Sequence, residues 1–469
     1  MIFKQYYLGC LAHASYLIAD EQTKTAVIVD PQRDIQQYLD DAEKQGLEIR
    51  HVFLTHFHAD FVAGHLELRD RVGATIHLGA RADAEYPFFP AKEGELLEFG
   101  QVRLGFLETP GHTPEGVSIL VYDLAESAVH PKMVLTGDTL FIGDVGRPDL
   151  MASVGVTADE LAGQLYDSLH NKLMKLPDDT LVYPAHGAGS LCGKNLSDDT
   201  VSTIGDQRQM NYALRPMPRE AFIQVVTENQ PPAPEYFAYD AQLNKKERLK
   251  LDESLQSGMK ALSLDAVLAH LNQGKPVLDT RRDSDFSAAH LKGAVHVALG
   301  GKFATWAGIV LKPDTPIVIV AEPGTEYESE MRLGRIGFDQ VAGFLEGGME
   351  ALKARPDRVE STPSWTGDEF LKHLQAGEPV TILDVRAPSE YEAGHLKDAL
   401  NIRLNDLSKR IEEVPWDRTA VVHCAGGYRS TIACSLLQRA GHTRVVNLLG
   451  GIGALPEQTG KEEGWLVSA

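Results

Sequence analysis

Residues 55–65 read THFHADFVAGH. The stretch completes the apolar, β-branched run HVFLTH, so it reads as the loop at the end of a strand. Side chains on such loops are where layered α/β folds build their sites. His56, His58 and Asp60 offer two imidazoles and a carboxylate at alternate positions, all metal-donor types. Phe61, directly after the aspartate, cannot give an electron pair to a cation.

Outward from this loop, the first 227 or so residues alternate short apolar strands with helical segments, and several strands end on a histidine or aspartate. In order these are His56, His58, Asp60, His112 in TPGHTPEG, Asp138 in LTGDTLF and His186 in YPAHG. A single histidine at a strand end reads as a packing or hydrogen-bonding residue, and His65 and His77 keep that reading.

The chain has 469 residues, which predicts about three domains of roughly 150 residues. Hydrophobic content of 43% and charged content of 24% are ordinary for a globular protein. A net charge of −21 argues against nucleic-acid or anionic-membrane binding and leaves small anionic substrates open. The start, MIFKQYYLGCLAHASYLIAD, alternates like a first strand pair and lacks the features of a signal peptide. No apolar run is long enough to span a bilayer. The four cysteines, Cys10, Cys192, Cys424 and Cys434, form no CxxC pair, so free thiols in a reducing cytoplasm are expected.

The order and context of the strand-end residues resemble the metallo-β-lactamase superfamily, and more narrowly its persulfide dioxygenase (sulfur dioxygenase) branch beside glyoxalase II. In two-metal members of that fold a further histidine follows the aspartate, and here that position is Phe61. The resemblance therefore implies one metal, Fe(II), one per N-terminal domain, held by His56, His112 and Asp138. Two imidazoles and one carboxylate leave positions open for a persulfide sulfur and O2. His58, Asp60 and His186 become groups that orient the ligands or hold water. Arg147 in GDVGRPDL is read as substrate-binding, with a guanidinium suited to the carboxylate of a carrier such as glutathione, or else as a structural salt bridge. Cys192, six positions past His186, is either an auxiliary thiol for persulfide handling or an inert buried one.

Beyond this region, ENQPPAPEYFAYDAQLNKKERLK reads as a linker, and KARPDRVESTPSW as a second break. The pieces on either side of the second break are an internal repeat. VLDTRRDSDFSAAHLKGAVHV matches ILDVRAPSEYEAGHLKDALNI, with 11 positions from Asp279 to His290 and from Asp384 to His395. Gly347-Gly348 and Gly450-Gly451 follow in the two copies.

The second copy carries VVHCAGGYRS, a strand delivering Cys424 into a glycine-rich loop before a helix. This resembles the rhodanese active-site loop, and LDVR and GHLKDALNI match the family's other signatures. Backbone N–H groups of Ala425, Gly426, Gly427, Tyr428 and Arg429 can curl around the sulfur and favour a thiolate, then a persulfide. Arg429 is expected to attract an anionic donor or acceptor, while Asp384 and Arg386 brace the loop. Cys424 to Arg429 is C-x4-R, one residue shorter than the C-x5-R loop of cysteine phosphatases, which favours sulfur over a phosphoryl group. The first copy has IVIVAEPGTEYES there, with Glu322 aligned to the nucleophile, so it is expected to be inert and to serve spacing, packing or contact in a homo-oligomer.

The expected fold is α/β: a metallo-β-lactamase αββα sandwich over 1–240, a degenerate rhodanese-like domain over 255–355 and an active rhodanese domain over 362–469. The expected function is oxidation of a low-molecular-weight thiol persulfide, such as glutathione persulfide, to thiol and sulfite. Cys424 would link persulfide, sulfite and thiosulfate as a thiosulfate sulfurtransferase, placing the chain in hydrogen sulfide metabolism. A glyoxalase II-like thioester hydrolase is the alternative, and it would need two metals.

Overall fold

The computed structural model describes residues 1–150, 155–194, 196–228, 230, 232–455 and 466–468. These fall into two compact units, one of Met1–Glu253 with Gly334–Gly337 and one of the remaining residues from Ser254 onward.

The first unit is built on two six-stranded sheets. One runs from Ile2–Leu8 through His13–Ala19, Thr25–Val29, Glu48–Phe53 and Thr75–Gly79 to Phe89–Ala91. The other runs from Leu96–Phe99 through Val102–Glu108, Val117–Asp123, Met133–Gly137 and Leu181–Pro184 to Ser202–Thr203. Val27, Val29 and Phe53 of the first pack against Leu104, Phe106, Ile119 and Leu135 of the second, so the sheets meet face to face. Helices Gln36–Gln45 and His65–Val72 cover the first sheet. Helix Ala158–Asn171 opens with a Thr157–Glu160 capping box and packs Leu165 and Leu169 against Val134 and Val182 of the second. The layers are therefore αββα.

The expected linker is not a free connection. Residues 229 and 231 of that stretch lie outside the described residues, but Glu235–Leu243 is a helix with Tyr236, Phe237 and Asp240 buried. After it, Asn244 and Arg248 bond to the 58–67 segment of the same unit. Apolar residues at helical spacing, rather than the proline cluster before them, decide the conformation.

The second unit holds the repeat as two five-stranded parallel sheets of the same topology. In each, a buried Asp–Arg pair follows the second strand of the fold. Arg281 bonds Asp279 and the Ala289 carbonyl, and Arg386 bonds Asp384 and the Gly394 carbonyl. The strand register corrects one expected equivalence. Asp279 pairs with Val320 and Asp384 with His423, so Ala321, not Glu322, stands where Cys424 stands. Close glycines agree: a Cβ on Gly451 would meet the Cys424 carbonyl, and one on Gly348 the Ala321 carbonyl. A one-residue offset in a short strand is invisible without its pairing partners. The first copy still has no thiol at the position.

Among the described residues no helix is long and apolar enough to cross a membrane. All four cysteines are free thiols.

Candidate metal centre and sulfur-transfer loop

Three strand ends converge in the first unit. His56 follows strand Glu48–Phe53, His112 follows Val102–Glu108, and Asp138 follows Met133–Gly137. One ligand atom of each lies within 4.8 Å of the others, and all three residues are buried. The His56 and His112 Nε2 atoms stand 3.7 and 3.5 Å from Asp138 Oδ2. Gly137, at φ +53°, lets the chain turn here, because a Cβ would lie 2.5 Å from Thr55 Oγ1.

Neighbours fix the tautomers. His112 Nδ1 donates to the Arg147 carbonyl at 2.8 Å, which leaves the Nε2 lone pair facing the centre. Thr55 Oγ1 donates to Asp30 Oδ2 at 2.8 Å, so it accepts from His56 Nδ1 at 3.0 Å, and His56 Nε2 is likewise free to donate its lone pair. Burial, reinforced by His58, pushes the proton affinity of His56 well down, and burial lowers that of His112. Burial opposes ionisation of Asp138, yet His186 and His56 hold its carboxyl well below the usual range. Two neutral imidazoles and a carboxylate are the protonation states a divalent cation requires. The donor set fits a metal ion.

A second group, Asp60, His186 and Cys192, also has ligand-type atoms within 4.8 Å. His186 lies between carboxylates, with Nδ1 2.8 Å from Asp138 Oδ1 and Nε2 2.9 Å from Asp60 Oδ2. Burial disfavours its cation, but Asp138 and Asp60 together raise its proton affinity. Burial, then Asp60 and Asp138, push the Cys192 thiol well up. His58 Nε2 is 3.0 Å from Asp30 Oδ1. Phe61 is 1% exposed, and its ring sits 4.1 Å from that of His13 and 4.4 Å from that of His58. It fills this corner with an apolar face.

The Arg147 guanidinium is buried and gripped by Asp149, Nε to Oδ1 and Nη2 to Oδ2, both at 2.7 Å. That is the geometry of the salt-bridge alternative, and the residue's link to the centre is its main-chain carbonyl. Sequence reading passed over His13, Glu115 and Asn244. His13 donates from Nε2 to the Asp30 carbonyl, and Glu115 Oε1 accepts from the Phe57 N–H. Only the histidine, at the head of an apolar strand, carried a local signal.

In the second unit, strand Thr419–His423 ends on Cys424, and helix Tyr428–Ala440 begins four residues later. Gly427, at φ +107°, turns its N–H to Cys424 Sγ at 3.1 Å, and the Ser430 hydroxyl lies 3.7 Å away. Of the five expected cradle N–H groups, Gly427 makes the bond. Ser430 was not anticipated. The Ile452 N–H holds the Cys424 carbonyl at 2.9 Å, which gives the Gly450-Gly451 pair its place beneath the loop. Arg429 is bonded to both Glu390 oxygens, at 2.6 and 2.8 Å.

The metallo-beta-lactamase superfamily model matches residues 8–186, and the rhodanese-like domain model matches 263–355 and 366–455. Mitochondrial persulfide dioxygenase ETHE1 of Mus musculus is 30% identical over 226 residues, which are 47% of this chain and 78% of that protein. The chain belongs to the metallo-β-lactamase superfamily, joined to two rhodanese-like domains. Persulfide dioxygenases are among its homologues. A hydroxyacylglutathione hydrolase of Dictyostelium discoideum is 32% identical over 174 residues, 37% of this chain and 61% of its own. The crystal structure of a metallo-beta-lactamase from Staphylococcus aureus subsp. aureus COL superposes with a TM-score of 0.64 at 29% identity, covering 73% of this chain and 98% of that one. The mixed α/β fold and a candidate metal centre within a metallo-β-lactamase domain are thus established.

Proposed function

We propose that the first unit oxidises a low-molecular-weight thiol persulfide at a single Fe(II) held by His56, His112 and Asp138. The net reaction is R-S-SH + O2 + H2O → R-SH + sulfite + 2 H+. The observation that carries this reading is the pairing of a three-donor centre with Phe61, an apolar ring beside Asp60. Bound there, Fe(II) would supply open coordination positions for the persulfide sulfur and for O2.

The protein's own residues do the rest. The Arg147 carbonyl and the Thr55–Asp30 pair hold the two imidazoles in one tautomer and one orientation. His186, between Asp138 and Asp60, is placed to hold a proton next to the centre. Phe61 and the buried surroundings limit water.

Cys424 then carries sulfane sulfur. Its thiolate attacks the outer sulfur of a persulfide or of thiosulfate, forming a Cys424 persulfide and releasing thiol or sulfite. Return of that sulfur to sulfite gives thiosulfate, and return to a thiol gives fresh persulfide for oxidation. Covalent fusion raises the concentration of one site's product near the other. Glutathione is the carrier we favour to test first.

The homologous hydroxyacylglutathione hydrolase keeps a thioester-hydrolase reading in play, for which two metals would be needed. One experiment separates them: O2 consumption by Fe(II)-loaded protein given glutathione persulfide, with sulfite, thiosulfate and metal content quantified. Rapid uptake with sulfite or thiosulfate at one iron per chain supports the proposal. No uptake with glutathione, coenzyme A or cysteine persulfide, and two metals per chain, overturns it.

A further inference from the structure

The two copies of the repeat enclose a cleft of about 530 Å³ at the C-terminal end of helix Tyr428–Ala440, the end away from Cys424. That volume lies within the roughly 300–1,000 Å³ of small-molecule sites. Its aliphatic walls include Val310 and Leu311 of the first copy and Ile411 and Leu436 of the second. The charged side chains lining it are Lys312 and Arg439, both cations.

Neither cation is neutralised. Arg439 reaches across the seam to main-chain oxygens, Nη1 to the Gly293 carbonyl at 2.8 Å and Nη2 to those of Gly274 and Lys275 at 2.9 and 3.4 Å. Those bonds hold the guanidinium in place, but a carbonyl carries no net charge to offset it. Burial lowers its proton affinity, and no carboxylate acts against that. Lys312 is exposed, and its ammonium bonds nothing among the described residues. The charged neighbours of the lining leave this balance unchanged. Lys275 and Lys409 stand against Asp314 and Glu412, and Arg410 is paired with Glu413. His270, whose Nε2 bonds the Pro276 carbonyl, loses proton affinity to burial. In a chain of net charge −21, an aliphatic cleft lined by two unpaired cations is selective for one kind of ligand.

We propose that this cleft binds a small organic anion. The apolar body lies against the aliphatic walls, and the acid head, a carboxylate or sulfonate, faces Arg439 and Lys312. The site is independent of the reactions proposed at the metal centre and at Cys424.

The test uses the full chain and two fluorescent probes: anilinonaphthalene sulfonate, an anion with an aromatic body, and N-phenylnaphthylamine, its neutral counterpart. Hydrogen exchange with the anionic probe bound should show added protection in peptides spanning 308–316 and 434–441. Lys312→Glu reverses one exposed charge and should weaken the anionic probe about three- to ten-fold. The neutral probe should stay within about two-fold, Lys312→Arg should bind like wild type, and added salt should shrink the difference. Absence of binding by the anionic probe, or protection confined to other peptides, overturns the proposal. So does an anionic affinity unchanged in Lys312→Glu. An equal loss of both probes overturns it too, because the cleft would then be sensitive to shape and not to charge.

Discussion

Replacing Asn244 by alanine tests whether the segment after helix Glu235–Leu243 holds the metal loop. Asn244 has no exposed surface. Its Nδ2 donates to the His58 and Phe61 carbonyls at 2.8 and 2.9 Å, and its Oδ1 accepts from the Ala63 N–H at 2.9 Å. One side chain thus satisfies three main-chain groups in the turn that carries Asp60. The alanine variant leaves all three buried and unpaired, at about 1–3 kcal/mol each. A water entering the vacated space would recover part of that. The expected loss is about 2–4 kcal/mol, concentrated locally. Hydrogen exchange read by mass spectrometry on peptides spanning 56–66 measures it directly. Protection there should fall by about 30- to 800-fold, since 1.4 kcal/mol is a factor of ten, and Fe(II) affinity should fall with it. Asn244→Asp should be no better, because it keeps the acceptor and sets a carboxylate oxygen against two carbonyls. Protection within about two-fold of wild type, with unchanged metal affinity, would refute the reasoning.

Three further outcomes are expected. His112→Ala should lose the metal and O2 uptake while Cys424-dependent transfer persists, checked by metal analysis and the two assays side by side. Cys424→Ser should do the reverse, keeping sulfite formation from persulfide; thiosulfate production surviving in that variant would point to another thiol, with Cys192 the first suspect. Glu330 is a pH probe. It is 2% exposed, neither oxygen has a hydrogen-bond partner, and burial, then Asp339, push its carboxyl up to about 8. The folded state keeps this proton while the unfolded state loses it above about 4.5, so stability is greatest below that pH and falls as pH rises toward 8. Glu330→Gln should remove that slope, so its thermal midpoint should gain on wild type between pH 5 and 8; an equal difference at both pH values counts against the assignment.

How much of this could be read in the chain varied with distance along it. His56, His112 and Asp138 were legible because each closes a strand in a short local motif, and the fold brings strand ends to one edge. The repeat was legible because Asp279-x-Arg281 and Asp384-x-Arg386 sit in matching contexts. Asn244 was not, since its partners are some 180 positions away and nothing nearby in sequence announces them. The Pro-rich stretch misled because it precedes a helix whose buried Tyr236 and Phe237 decide the packing. Sequence alone aligns Glu322 rather than Ala321 with Cys424, because strand register is a property of pairs of strands. Arg147 shows a further limit: the sequence does not show that its guanidinium bonds Asp149 while its main-chain carbonyl accepts from His112.

The two sites differ in how complete they are without a ligand, and the difference predicts how each responds to chelation. Around the first, His13 Nδ1, His58 Nδ1 and Asp60 Oδ1 are buried without hydrogen-bond partners, beside an ionised Asp138 facing two lone pairs. Such a cluster costs stability until something charged and bonded is added. At Cys424 the Gly427 N–H, the Ser430 hydroxyl and the Glu390–Arg429 pair already satisfy one another. Metal binding should therefore stabilise the first unit by mass action, about 2.7 kcal/mol at a free metal concentration one hundred times Kd. Chelation should raise exchange in peptides containing His56, His112 and Asp138 by up to about a hundredfold and leave strand Thr419–His423 and its helix unchanged. If exchange rises equally in both units, or in neither, then these three residues are not a metal centre on which the fold of the first unit depends.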